Sequence, residues 1–354
     1  MATKRATRIF AAAGHTKQRN GTQLRGGLFF TSPDDGQWQA LSAGLPENVE
    51  ARAFAVHPGD PDVIYVGTQD GPYRSTDGGR KWERLGFPDR GAVVWSLTFH
   101  PTRPQVMYAG TAPVVMYRSE NGGDTWSKLP GARSPEHCPM NFPTRVTGIA
   151  VDAGRPDDVY AALEVSGVIA SRDGGETWAD LSEPLIRLSD QPHLKSRLSS
   201  NTDTSGMIDS HAIAVNKAGT AFFACRMGLF RSDDRGASWS DMEVGRFSPL
   251  TYCRDVIVSP HDERVMYACL WVSSRGNDGS LCRSDDAGET WRRFDHDLKS
   301  RATMMGVAGH PGDPARVYCV SRCGQVFGTE DTGATWREYQ LPEGVQDVYS
   351  IACA

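Results

Sequence analysis

No stretch of this 354-residue chain is long and apolar enough to cross a bilayer, and almost none carries a sustained helical period. It also lacks a block of lysine and arginine, and its eight cysteines show no metal-ligand spacing. The first absence excludes a membrane-spanning helix, and the second excludes a helical bundle. The net charge of −5 leaves no basic footprint for nucleic acid, so neither nucleic acid nor a membrane is expected as a partner. Cys319 and Cys323 stand four apart without further ligands nearby, so packing is the expected role of the thiols. Only MATKRA precedes the first strand-like run, so no signal peptide is expected. Reduced thiols and a cytoplasmic location follow as expectations.

What the chain has is repetition. The pattern Ser/Thr-x-Asp-x-Gly-x-x-Trp recurs, with small variations, at Ser75–Trp82, Ser119–Trp126, Ser171–Trp178, Ser232–Trp239, Ser284–Trp291 and Thr329–Trp336. A copy one residue short runs from Ser32 to Trp38, and successive copies start 43 to 61 residues apart. The Asp-x-Gly core is turn chemistry: a short carboxylate takes nearby backbone N–H groups, and Gly supplies a positive φ. The Trp opens the next strand and can wedge a large ring between neighbouring sheets. Upstream of most copies an apolar strand ends in His-Pro, as in RAFAVHPGDPDVIYVGT and SLTFHPTRPQVMYAGT. His57, His100 and His310 belong to these turns, and His261 falls with them one step out of register. Each period thus holds four short strands, and such a period is that of a propeller blade.

The boxes resemble those of the Asp-box (BNR) repeat family of β-propellers. That family includes sialidases, sortilin-type receptors, xyloglucanases and the photosystem II assembly factor of chloroplasts. The resemblance covers essentially the whole chain. It implies an all-β fold, and it implies that the boxes are structural turns remote from the ligand face. The expected architecture is one domain over residues 1–354, a seven-bladed β-propeller of four-stranded antiparallel blades. Residues 7–14 match a second strand and residues 348–353 an inner one. The C-terminal strand should therefore join the N-terminal blade and close the ring, removing any free sheet edge.

Function is expected where the blades stop being alike. The box and His-Pro turns keep nearly constant length, whereas the connections on the opposite face swell at residues 14–27, 127–145, 179–210 and 270–282. Long loops crowded on one face suggest a binding surface, with 179–210 as a lid. Aligning the inner strands by their His-Pro ends gives one mouth position per blade: Arg52, Trp95, Thr147, His211, Arg254, Met305 and Tyr349. The position just past the second strand gives His15, Gln69, Ala112, Glu164, Arg226, Trp271 and Arg322.

So many charged groups around one opening call for water or an anion. Arg52, Arg226, Arg254 and Arg322 are the expected anion binders, with Trp95, Trp271, His137 and His193 as further substrate contacts. His211, Glu164, His15 and Tyr349 are the expected acid/base or nucleophilic groups. No cofactor is expected; the alternative use of His15, His211 and Glu164 is as ligands of a divalent metal. A Tyr paired with a carboxylate resembles the sialidase arrangement, but sialidases have six blades. Their Arg-Ile-Pro motif is also missing here, the nearest string being Arg8-Ile9-Phe10. The leading expectation is an enzyme, a hydrolase or lyase of glycosidase-like kind, acting on an anionic small molecule or sugar acid. The other is a non-catalytic module whose rim captures an acidic peptide or protein partner, with Trp95 and Trp271 as anchors.

Overall fold

The computed structural model describes residues 6–14, 25–135, 142–194, 208–271, 278–296 and 298–354. These form seven four-stranded antiparallel sheets arranged around an axis, as expected from the repeat period. Val348–Cys353 pairs antiparallel with Ile9–Ala13, so the first blade takes its innermost strand from the C-terminus. Arg8 and Ala354 exchange backbone hydrogen bonds of 2.8 and 3.0 Å beyond the last ladder pair. The innermost strands of blades two to seven are Ala51–Val56, Val93–Phe99, Val146–Val151, Ser210–Val215, Tyr252–Val258 and Met304–Gly309.

The boxes account for the regularity. Ser75 Oγ donates to Asp77 Oδ1 at 2.8 Å and accepts from the Gly79 N–H at 2.8 Å, while Asp77 Oδ1 takes the Lys81 N–H at 2.9 Å. Ser171, Ser284 and Thr329 head the same three-bond arrangement with Asp173, Asp286 and Asp331. Hydrogen bonds from Thr177 hold Asp173 at about 2, and those from Thr335 do the same for Asp331. Each box glycine sits at positive φ, where a Cβ would be strained.

Each box Trp then packs backward onto the preceding blade. Trp82 shares a buried cluster with Phe10 and Leu28, Trp126 one with Tyr65 and Phe87, and Trp239 one with Tyr160 and Val168. The core is therefore seven wedges between sheets, so a chain of this length is stabilised blade by blade instead of around one centre.

The described part of the 179–210 segment holds a short helix, Glu183–Ser189, with a proline in its first turn. Leu185, Leu194 and Ile208 pack into the wedge between blades four and five. Residues 195–207, the middle of the expected lid, lie outside the described residues. Among the described residues no helix is long and apolar enough to cross a membrane.

Candidate functional site

One backbone irregularity recurs seven times, and it builds the site. In each innermost strand the pairing register skips one residue: Arg52, Trp95, Thr147, His211, Arg254, Met305 or Tyr349. A β-bulge leaves its extra residue out of the ladder and re-aims its side chain. These residues all line one cavity of about 510 Å³ around the axis, and they are the seven predicted mouth positions. Seven side chains of six kinds, dispersed along the sequence, thus meet at one opening.

One side of the mouth is a stack of cations and rings. The Arg52 guanidinium lies 4.5 Å from the Tyr349 ring centre and 4.6 Å from that of Trp95, and the two rings meet edge to face at 5.3 Å. Arg145 stands 3.9 Å from the Trp95 ring, and its Nη2 pairs with Glu164 Oε1 at 2.6 Å. Arg52 Nη2 pairs with Glu50, whereas its buried Nε and Nη1 make no hydrogen bond. With only 9% of its surface exposed, Arg52 belongs to the wall. Desolvated cation–π contacts of this kind are worth about 2 kcal/mol each.

The other side carries proton chemistry. The Cys253 carbonyl, which only accepts, faces His211 Nδ1 at 2.8 Å, so the neutral ring carries its hydrogen there. His211 Nε2 then accepts from the Tyr252 hydroxyl at 3.0 Å, with Asp209 Oδ2 3.6 Å away. Burial, aided by the Arg254 charge, lowers the His211 pKa and keeps the ring neutral. Burial raises the Glu164 pKa despite the Arg145 guanidinium. Burial also opposes ionisation of Asp209; a protonated His211, Arg254 and the Val165 N–H lower its pKa, and beside the neutral ring Arg254 and the N–H remain to hold the carboxylate. Asp255, next on the chain after Arg254, is pushed up to about 6 by burial, although it accepts the Val256 and Val307 N–H groups at 2.9 and 3.0 Å. Arg254 lies amid these groups, yet its buried Nε has no hydrogen-bond partner.

The second predicted position fared unevenly in placement. Glu164 lines the cavity; Arg226, Trp271 and Arg322 do not. Trp271 closes the strand Met266–Trp271 and is fully buried, and Arg322 pairs with Asp347 at 2.6 Å. His193 is exposed away from the cavity and meets Asp241 at 3.1 Å. His15 and His137 lie outside the described residues. Among the described residues no group of three His, Cys, Asp or Glu side chains could hold a metal ion. Sequence reasoning missed Arg145, Asp209 and Tyr252, each two residues before a bulge, and Asp255, one after. A period-two reading of the inner strands would have reached the first three.

A family model described as "Sortilin, neurotensin receptor 3" (Sortilin-Vps10) matches residues 279–352. Xyloglucanase Xgh74A of Acetivibrio thermocellus is 26% identical over 66% of this chain, and the chain spans only 29% of that enzyme's length. Among solved structures, YCF48 from Cyanidioschyzon merolae shares the fold at a TM-score of 0.58 with 16% identity, covering 87% of this chain and 91% of its own. A structure titled "YCF48 bound to D1 peptide" follows at a TM-score of 0.53 with 15% identity, covering 83% of each chain. Together these likenesses support a β-propeller of the Asp-box-like family.

Proposed function

We propose that this Asp-box-like propeller is an acid–base enzyme, a hydrolase or lyase, whose reaction centre is the channel mouth at blades four to six. The observation that carries this is the meeting, in one cavity, of Glu164, whose pKa burial raises, with Asp209, which accepts the Val165 N–H near the Arg254 charge, and a histidine whose Nδ1 hydrogen the Cys253 carbonyl fixes. Titratable groups whose surroundings drive their pKa values apart are the usual signature of an acid and a base sharing one reaction. Glu164 is the proton donor to a leaving oxygen; Asp209 and His211 are the bases. The low-identity xyloglucanase relatives support a glycosidase-like reaction, and Arg254 supports an anionic small molecule or sugar acid as substrate.

The cytoplasm remains the proposed location. Seven described cysteines are free and six of them buried, and burial raises several of their pKa values well above the thiol range, as suits packing thiols.

The test is a cleavage screen with neutral glycosides, including xyloglucan oligosaccharides, and with uronate-containing ones, comparing the wild type with Glu164→Gln. Cleavage that falls in the variant supports the reading, and a wild type inert on every substrate removes it. The second reading, a module that captures an acidic peptide or protein, is favoured by the YCF48 neighbour whose title records a bound D1 peptide. It predicts micromolar binding of acidic peptides, abolished by Arg254→Ala, from a protein that cleaves nothing.

A further inference from the structure

One tripeptide surrounds His211. The Tyr252 hydroxyl donates to Nε2, the Cys253 carbonyl takes the Nδ1 hydrogen, and the next residue, Arg254, is the bulged one, aimed into the same cavity. Two neighbours on one strand thus set the imidazole's tautomer and give its free nitrogen a phenol to work through, and the third adds a cation. Of the three mouth guanidiniums, Arg52 is paired with Glu50 and Arg145 is held against the Trp95 ring beside Glu164, whereas Arg254 has no carboxylate within ion-pair distance among the described residues. From the neighbouring blade, Val165 donates its N–H to Asp209 Oδ1 at 3.3 Å, which keeps Glu164 on the same side as this group.

We infer that the mouth cleaves a carboxylate-bearing sugar by β-elimination, with Tyr252 and His211 as the proton relay, Arg254 as the carboxylate clamp and Glu164 as the acid. The inference rests on the acid–base reading of the mouth and selects its lyase arm. The hydrogen on the carbon next to the carboxylate leaves as a proton to Tyr252 Oη, while the phenol proton passes to His211 Nε2. The electron pair left behind spreads onto the carboxylate, where the Arg254 charge stabilises it. It then forms the carbon–carbon double bond as the β carbon–oxygen bond breaks, and the departing oxygen takes the Glu164 proton. The products are an α,β-unsaturated carboxylate and an alcohol; no water, metal or oxidant enters. In hydrolysis the clamp would only bind the substrate carboxylate, whereas in elimination it also stabilises the charge that develops there.

The test offers the full chain 4-O-linked oligouronates (oligogalacturonate and oligoglucuronate) beside neutral xyloglucan oligosaccharides and aryl glycosides. Ultraviolet absorbance of the conjugated acid and new reducing ends are read in parallel. The expected result is absorbance rising in step with reducing ends on a uronate. That rate should fall by about 10²–10⁴-fold in Tyr252→Phe, His211→Gln and Arg254→Met. Should any of these fail to fold, Glu164→Gln in deuterium oxide decides. It should continue to exchange the hydrogen next to the carboxylate while chain cleavage falls. Reducing ends from uronates without absorbance overturn the elimination and leave the acid–base reading standing. Uronates left uncleaved overturn it as well; if the neutral glycosides are also untouched, the acid–base reading falls with it.

Discussion

The two ends of each blade follow opposite rules. At the box end, Ser75, Ser171, Ser284 and Thr329 repeat one hydrogen-bonding arrangement to within 0.2 Å. At the mouth, seven bulges of the same kind present an arginine, a tryptophan, a threonine, a histidine, a second arginine, a methionine and a tyrosine. The backbone is equally regular at both ends; only the side chains diverge. A turn must satisfy its own backbone groups, so its chemistry cannot drift without weakening a blade. A bulged residue faces the cavity and owes nothing to its own ladder, so it is free to specialise.

The strongest challenge to this contrast is Glu164→Gln. If the mouth serves chemistry, the variant loses about 10²–10⁴-fold in turnover, roughly 3–5 kcal/mol of transition-state stabilisation, while the melting temperature moves by no more than a few degrees. A collapse of the melting temperature with turnover per folded molecule unchanged would make Glu164 a strut for Arg145 instead. The mirror experiment is Trp239→Ala at the box end. Its ring fills the wedge against Tyr160 and Val168, so truncation should cost about 3–5 kcal/mol in urea unfolding and leave the Michaelis constant unmoved.

The same contrast explains what the sequence revealed. Asp-x-Gly turns and wedge tryptophans need particular residue types at particular offsets, so the ring, its seven blades and its C-terminal closure were all legible. The mouth positions were legible too, because each stands five residues before the inner strand's turn and every bulge falls there. Arg145, Asp209 and Tyr252 were not. They stand one period-two step before the mouth position, and comparing that single position between blades passed over the step before it. Trp271 misled for a related reason: its strand runs to Trp271 itself, pairing with Tyr252, and the ring stays inside. Nor does a single sequence show that Trp95 stands against two guanidiniums, since Arg52, Trp95, Arg145 and Tyr349 come from four different blades.

A smaller effect separates mouth from box by pH. Asp255 holds its proton up to about 6, whereas an exposed aspartate in the unfolded chain releases it near 4. Between those values the folded state binds more protons than the unfolded one, so stability falls as pH rises through that window. The full loss from this residue is up to about 3 kcal/mol, reached above its folded pKa. Glu164, raised by burial, adds to the fall in the same direction. Box aspartates such as Asp173 and Asp331 behave oppositely: held at about 2, they contribute stability that disappears as pH drops toward that value. Urea unfolding at successive pH values should therefore show a maximum in the mildly acidic range. Asp255→Asn should flatten its neutral side and leave its acid side as it was. An unchanged neutral side would mean that Asp255 is ionised in the fold.

The smallest effect expected is Ser284→Ala in the sixth box. The hydroxyl donates to Asp286 and accepts from Gly288, both at 2.8 Å, and the turn that it ties is otherwise held by the Asp286–Thr290 bonds and the Trp291 contact with the Gly288 carbonyl at 3.1 Å. Losing one hydroxyl should cost about 1–2 kcal/mol, because the Gly288 N–H is left buried without an acceptor. The same substitution at Ser75 or Ser171 should give the same value within about 0.5 kcal/mol, since the three turns are geometrically interchangeable and far apart. Measured by urea unfolding, equal costs would show that box turns act as repeated parts. Unequal ones would mean that individual blades differ in stability as well as in the side chains they present.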